Sequence, residues 1–235
     1  MDEEPLIEVF INPLAFLEVD QPWASLADRE PTPQDIFSFL CTPGVPADVH
    51  SLTERYKEIS QEKARLFAAP NDQRVLEKLV WPLRHAKASY IIGNFLSTIA
   101  LCGMVTEMLA IFVFELALIE GIEIKDEKGG VISEQEFEKM GQQNRVRTLW
   151  KSQVIDNPMK LNFDLVRTTR RKYLHLWSQD HGVLPRDAVA VFNATVLIVV
   201  NAFGLGVQQG KLAIKPSVIS YLKKSGRSEP RDEGI

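Results

Sequence analysis

Ala188-Val189-Ala190-Val191-Phe192-Asn193-Ala194-Thr195-Val196-Leu197-Ile198-Val199-Val200-Asn201-Ala202-Phe203 decides the fold of this chain. No charged residue occurs from Ala188 to Gly210, and the stretch is long enough to cross a bilayer. Pro185 suits the first turn of a helix here, and Gly204 and Gly206 suit its stop. A helix this apolar is either enclosed in a core or inserted in lipid. Asn193, Thr195 and Asn201 interrupt it. A second apolar stretch, Ile99 to Ile119, carries Glu107 and Glu115, and charges in mid-span are costly in lipid. Both stretches therefore read as buried core or interface helices. A protein with two membrane spans is the alternative.

Working outward, the segments on either side also read as helices. Asp48 can cap a helix to about Phe67, with Val49, Leu52, Tyr56, Ile59, Lys63 and Leu66 spaced by three or four. Ala69-Pro70-Asn71-Asp72 breaks the pattern, a helix follows to about Val80, and Pro82 marks its end or a kink. A long helix is expected from Leu83 to about Ile119, bent near Gly93 and stopped by Gly121. Ser133-Glu134-Gln135-Glu136 is a capping box opening a helix that runs on toward Trp150. Asn157-Pro158 is a break, and the next helix spans about Leu161 to Trp177. A short amphipathic piece, Pro216 to Lys224, precedes a polar tail. No part of the body alternates as a strand does. The expected class is all-α, an antiparallel helical bundle with short connections.

Residues 1–45 differ from the rest. Their acids are Asp2, Glu3, Glu4, Glu8, Glu18, Asp20, Asp28, Glu30 and Asp35 against Arg29 alone, and prolines recur at 5, 13, 22, 31, 33 and 43. They read as an irregular, Pro-rich acidic extension packed on the body through Leu6–Ile11 and Ile36–Leu40. The expected units are this extension (1–45), the helical body (46–210), and a short helix with a polar tail (211–235). The start Met1-Asp2-Glu3-Glu4-Pro5 resembles neither a secretory signal nor a transit peptide, so a cytoplasmic location is expected. Across 235 residues, 27 Lys and Arg stand against 31 Asp and Glu. That balance excludes a generic nucleic-acid coat, which needs a basic excess. Two cysteines exclude a disulfide scaffold. The four histidines and two cysteines show no metal-ligand spacing, so neither metal nor cofactor is expected.

Chemistry concentrates at Arg170-Arg171-Lys172-Tyr173-Leu174-His175, at the end of the 161–177 helix. A neutral imidazole can take the proton of a ribose 2′-hydroxyl. A guanidinium can fork onto the phosphate and stabilise the charge that develops there. Five positions place Arg170 and His175 about 140° apart around a helix, whereas Arg171 and His175 share a face. A site built from Arg170 and His175 is therefore expected to need an unwound helix end or a second copy of the chain. From Arg145 to His175 there are eight basic residues and two acids, an excess of six that suits an anionic ligand. Arg167, Arg171 and Lys172 can support a phosphate, and Tyr173 and Trp177 can either stack a base or pack on a neighbour. Glu107 is either a buried carboxylate with a partner or a site residue. His181 is a weaker second candidate, while His50 and the Arg84-His85 pair read as surface features.

The string Arg170 to His175, its place between two apolar helices, and the earlier run Ala86 to Phe95 leading into Ile99–Cys102 and Thr106–Leu109 resemble the HEPN superfamily. The hallmark of that superfamily is an Arg, a polar residue, three others and a His. Here these are Arg170, Arg171, Lys172-Tyr173-Leu174 and His175, and the likeness covers about Leu76 to Phe203. It implies a HEPN-like helical bundle that homodimerises with both motifs facing one cleft. It also implies a metal-independent endoribonuclease acting on RNA, with Arg170 and His175 catalytic, in a toxin–antitoxin, phage-defence or RNA-processing setting. A cognate antitoxin would be a partner in the first of these. Other members of the superfamily are non-catalytic nucleotide-binding or interaction modules, which is the alternative. Glu107 falls where some such families carry a polar residue on the facing helix.

Overall fold

The computed structural model describes residues 49–60, 73–126, 129–175, 180–204, 206–208 and 211–225. The acidic extension, Trp177 and the expected helical turns beyond residue 60 lie outside these. The described chain is mostly helical. In order it forms α1 (Val49–Ile59), α2 (Gln73–Val75), a π-helical turn (Leu76–Val80), α3 (Trp81–Ile91), α4 (Phe95–Ile119), α5 (Glu134–Lys139), α6 (Gln142–Lys151), α7 (Asn157–His175), α8 (Leu184–Phe203), the strands β1 (Gly206–Gln208) and β2 (Lys211–Ala213), and α9 (Pro216–Ser225).

Five boundaries differ from the sequence reading. Asn157-Pro158 is not a break, since α7 starts at Asn157, ahead of the expected Leu161, with Pro158 in its first turn. Pro82 does not end its helix. The backbone widens to a π-turn just before it and continues into α3 with Pro82 in the first turn, where its missing N–H leaves least unpaired. The long helix expected from Leu83 is two helices. Gly93 takes a left-handed φ of +88° and the Asn94 side chain accepts from the Ser97 N–H at 3.2 Å, which ends α3 and starts α4. The capping-box helix stops at Lys139, and a second one starts after Gly141. The segment after Gly204 is a small antiparallel hairpin in which Val207 pairs with Leu212. Strands of three residues are too short to show alternation in a sequence. The capping box itself is present, with the Ser133 oxygen accepting from the Glu136 N–H and the Glu136 carboxylate accepting from the Ser133 N–H. Gly204 closes α8 with a φ of +67°.

α4 lies at the centre because apolar residues occur all around it, interrupted by the half-buried Glu107 and Glu115. Ile99, Cys102, Val105, Leu109, Val113 and Leu116 are buried along it. It packs against α3, α7 and α8, and more lightly against α6 and α9. Aromatic pairs fix the ends of this packing. Phe114 stacks on Phe137 of α5 at 4.1 Å between centroids and 17° between planes. Phe112 meets Phe203 and Tyr221, each at 5.1 Å. Buried hydroxyls are bonded: Thr98 donates to the Ala86 carbonyl at 3.1 Å, and Thr195 to that of Val191 at 2.8 Å. α4 and α8 are each long and apolar enough to cross a membrane. Within the fold, 61% of the apolar window of α4 and 50% of that of α8 is buried by other helices, so α4 is placed as a core helix and α8 keeps an outer face.

Candidate phosphate-binding site

Asp156 starts α7, its side-chain oxygen accepting from the Met159 N–H at 2.8 Å. The helix then runs unbroken to His175. Met159, Phe163, Val166, Thr169 and Tyr173 form its buried stripe. On another face Arg167, Arg171 and His175 follow one another at intervals of four, with Arg170 offset from Arg167 toward α4. These four side chains line one cleft of about 190 Å³. Its other walls are Gly103, Thr106 and Glu107 of α4 and Gln142 of α6. The three arginines and His175 line the cleft from one continuous stretch of helix within one chain.

Arg170 pairs with Glu107, and both side chains are one-third exposed. The aliphatic stem of Arg170 crosses α4 directly over Gly103, where any Cβ would run into Arg170 Cδ. Gly103 and Glu107 are four apart, so the stem crosses at one turn and the guanidinium ends at the next. Gln142 donates through Nε2 to the Thr106 carbonyl at 3.1 Å, tying α6 to the same turn of α4. Three polar atoms here are enclosed without a hydrogen-bond partner: Arg167 Nε, Arg170 Nε and Gln142 Oε1. Arg167 Nε does approach Asp164, but at 3.8 Å, beyond hydrogen-bond reach. Lys160 holds the other oxygen of Asp164 at 2.8 Å. Arg171 and His175 are exposed, with no hydrogen bond or ion pair to another described residue.

Lys172 and Tyr173 do not belong to this cleft. Tyr173 is buried against α8 and donates to Asp187 at 2.7 Å, while Lys172 reaches Asp187 at 2.9 Å and the Tyr173 hydroxyl at 2.9 Å. The edge of Tyr173 also meets the exposed His181 ring at 5.5 Å. Burial pushes the Asp187 carboxyl up, but the bonds from Lys172 and Tyr173 outweigh it and hold the group below the ordinary aspartate value. A depressed carboxylate stabilises the fold above its unfolded pKa and loses that contribution as pH falls through the folded one. Asp187→Ala removes the acceptor of the partly buried Tyr173 O–H and is expected to cost about 0.5–1.5 kcal/mol at neutral pH. Urea unfolding checks this, and the gap from wild type should narrow as pH drops below the ordinary aspartate value.

The basic excess between Arg145 and His175 is also spread further than its sequence suggests. Arg145 donates to the Phe137 and Glu138 carbonyls and lines a different, larger cavity of about 420 Å³. That cavity has an apolar floor including Leu79, Met108 and Phe112, and a rim including Arg74, Glu115 and Glu138. Burial pushes the Glu115 carboxyl above its usual range despite Arg74 at 3.4 Å. His50, Arg84 and His85 are exposed, as expected of surface features.

The cleft therefore offers three guanidinium groups and an imidazole that bonds no other described residue, in a volume that takes a phosphate group rather than a whole nucleotide. Sequence reasoning missed Gln142 and Gly103. The only signal for Gly103 was a glycine inside an apolar helical run, which calls for a packing or functional reason. Compared with known proteins, the chain gives no significant match to any family model, curated protein or solved structure.

Proposed function

We propose that this chain is a metal-independent endoribonuclease with a HEPN-like helical bundle. The observation that carries the reading is the convergence of Arg167, Arg170, Arg171 and His175 on one small cleft whose enclosed guanidinium N–H groups lack acceptors. Unpaired buried donors raise the energy of the empty site and favour an oxyanion that can accept from them after a small side-chain rotation. Arg170 and Arg167 hold the scissile phosphate, with Arg171 in support at the mouth. His175 removes the 2′-hydroxyl proton, the 2′-oxygen attacks phosphorus as the bond to the 5′-oxygen breaks, and the imidazolium gives its proton to the leaving 5′-oxygen. The products are a 2′,3′-cyclic phosphate and a 5′-hydroxyl. Bases of the RNA stay outside the cleft, so the phosphate contacts position the strand without reading its sequence.

The protein acts in the cytoplasm as a homodimer in this reading. The outer side of α8 supports the dimer: Val189, Val196, Leu197 and Val200 are only half-buried there, and no charge interrupts them. Leu161 and Leu165 of α7 are likewise exposed, at 65% and 40%. A toxin–antitoxin or phage-defence setting fits such an activity, with a cognate antitoxin as partner. The second reading is a non-catalytic nucleotide- or RNA-binding module, favoured by the ion pair that already engages Arg170.

Single-stranded RNA incubated with the protein in EDTA tests the proposal. Fragments ending in 2′,3′-cyclic phosphate are expected, with Arg170→Ala slower by about 10²- to 10³-fold, as for loss of a group that stabilises transition-state charge. Fragments with 3′-hydroxyl ends, or equal rates in the two proteins, would remove the catalytic reading.

A further inference from the structure

Glu107 is the one acid that lines the cleft among the described residues, and it faces three arginines. It takes Nη1 of Arg170, while Nε of the same guanidinium has no acceptor. Arg167 Nε, enclosed beside it, has none either. A guanidinium binds phosphate best through two parallel N–H bonds. Glu107 holds a nitrogen of the end-on Nη1–Nη2 fork, and the other fork, Nε–Nη2, is enclosed at Nε beside Gly103. A carboxylate and a phosphate sharing about 190 Å³ would also repel each other.

Resting on the reading of this cleft as a phosphate site, we infer that Glu107 is an internal competitor for it. In the empty protein the carboxylate stands where a phosphate oxygen would bind Arg170. Ligand binding breaks the Glu107–Arg170 pair and moves the carboxylate toward the open mouth, where one-third of its side chain is already exposed. The cleft thus holds phosphate less tightly than three arginines would alone. Any group that draws Glu107 away from Arg170 raises the affinity. The opposite role, in which Glu107 positions Arg170 for the ligand, gives the opposite sign on removal of the carboxylate.

Calorimetric titration of the full chain at fixed pH and ionic strength tests this, with two ligands in separate arms. One is inorganic phosphate; the other is a short single-stranded RNA lacking terminal phosphate. Glu107→Gln keeps the side-chain shape and removes the charge. It is expected to tighten binding about two- to fivefold, the scale of a partly exposed ion pair. The gain should vanish in the double variant with Arg170→Ala. A gain in both arms identifies the phosphate group itself as the competitor's rival, and a gain in the RNA arm alone identifies the diester. Unchanged or weaker binding by Glu107→Gln, where Arg170→Ala still loses affinity, overturns the competitor role and leaves the phosphate site standing. Unchanged binding by Arg170→Ala in both arms overturns the phosphate site and the competitor together.

Discussion

His175→Ala is expected to lower RNA cleavage by about 10²- to 10⁴-fold, the range for loss of a positioned general acid–base group. The substitution isolates chemistry from folding because of where His175 sits. It is the last residue of α7, exposed, and bonded to no other described residue. Surface changes of that kind shift stability by about 0.5 kcal/mol or less. RNA affinity should also hold, since the arginines of the cleft remain. The expected pattern is a collapse of the single-turnover rate with unchanged urea unfolding and an unchanged Kd for RNA. A variant that cleaves at the wild-type rate would show that the imidazole takes no part. A variant that loses rate and stability together would show that His175 acts through the helix end.

Phe137→Ala is expected to destabilise the protein by about 3–5 kcal/mol, the usual cost of removing a fully enclosed aromatic side chain. Phe137 is 0% exposed and lies flat on Phe114 of the central helix. α5 has only six residues, and Phe137 is its one buried residue. A helix that short has little stability of its own. Removing its anchor should free the segment and, with it, the Phe137 carbonyl that holds Arg145 Nε at 3.1 Å. Equilibrium urea unfolding measures the loss, and a change below about 1 kcal/mol would mean that α5 is held by its cap alone.

The helical class was legible because α4 and α8 are long, apolar and bounded by turn residues. The failures were all at junctions. Gly93 was read as a bend, yet its φ of +88° and the cap on Asn94 make a full break. Pro82 was read as an end or a kink, yet the π-turn before it carries the helix through. Junctions depend on single backbone angles, which pattern averages over a window do not register. At the site, spacing alone put Arg171 and His175 on one face. It could not place Arg170 with them, because that depends on a side chain lying across the bare backbone of Gly103 on another helix. Lys172 and Tyr173 were assigned to the ligand for the converse reason, since their partner Asp187 is fourteen or more positions away along the chain.

Gly103 also sets the stability of α4 against the placement of Arg170. Alanine is the better helix former by about 0.5–1 kcal/mol, so at this position inside α4 the substitution favours the helix itself. A methyl group here would stand 2.4 Å from Arg170 Cδ, so the arginine stem must shift to admit it. Selection for a stiffer helix alone would therefore displace a side chain of another helix while every charged residue stayed in place. On the proposed reading of the cleft, a change at this apolar position disturbs the phosphate contact before any change at an arginine or a histidine.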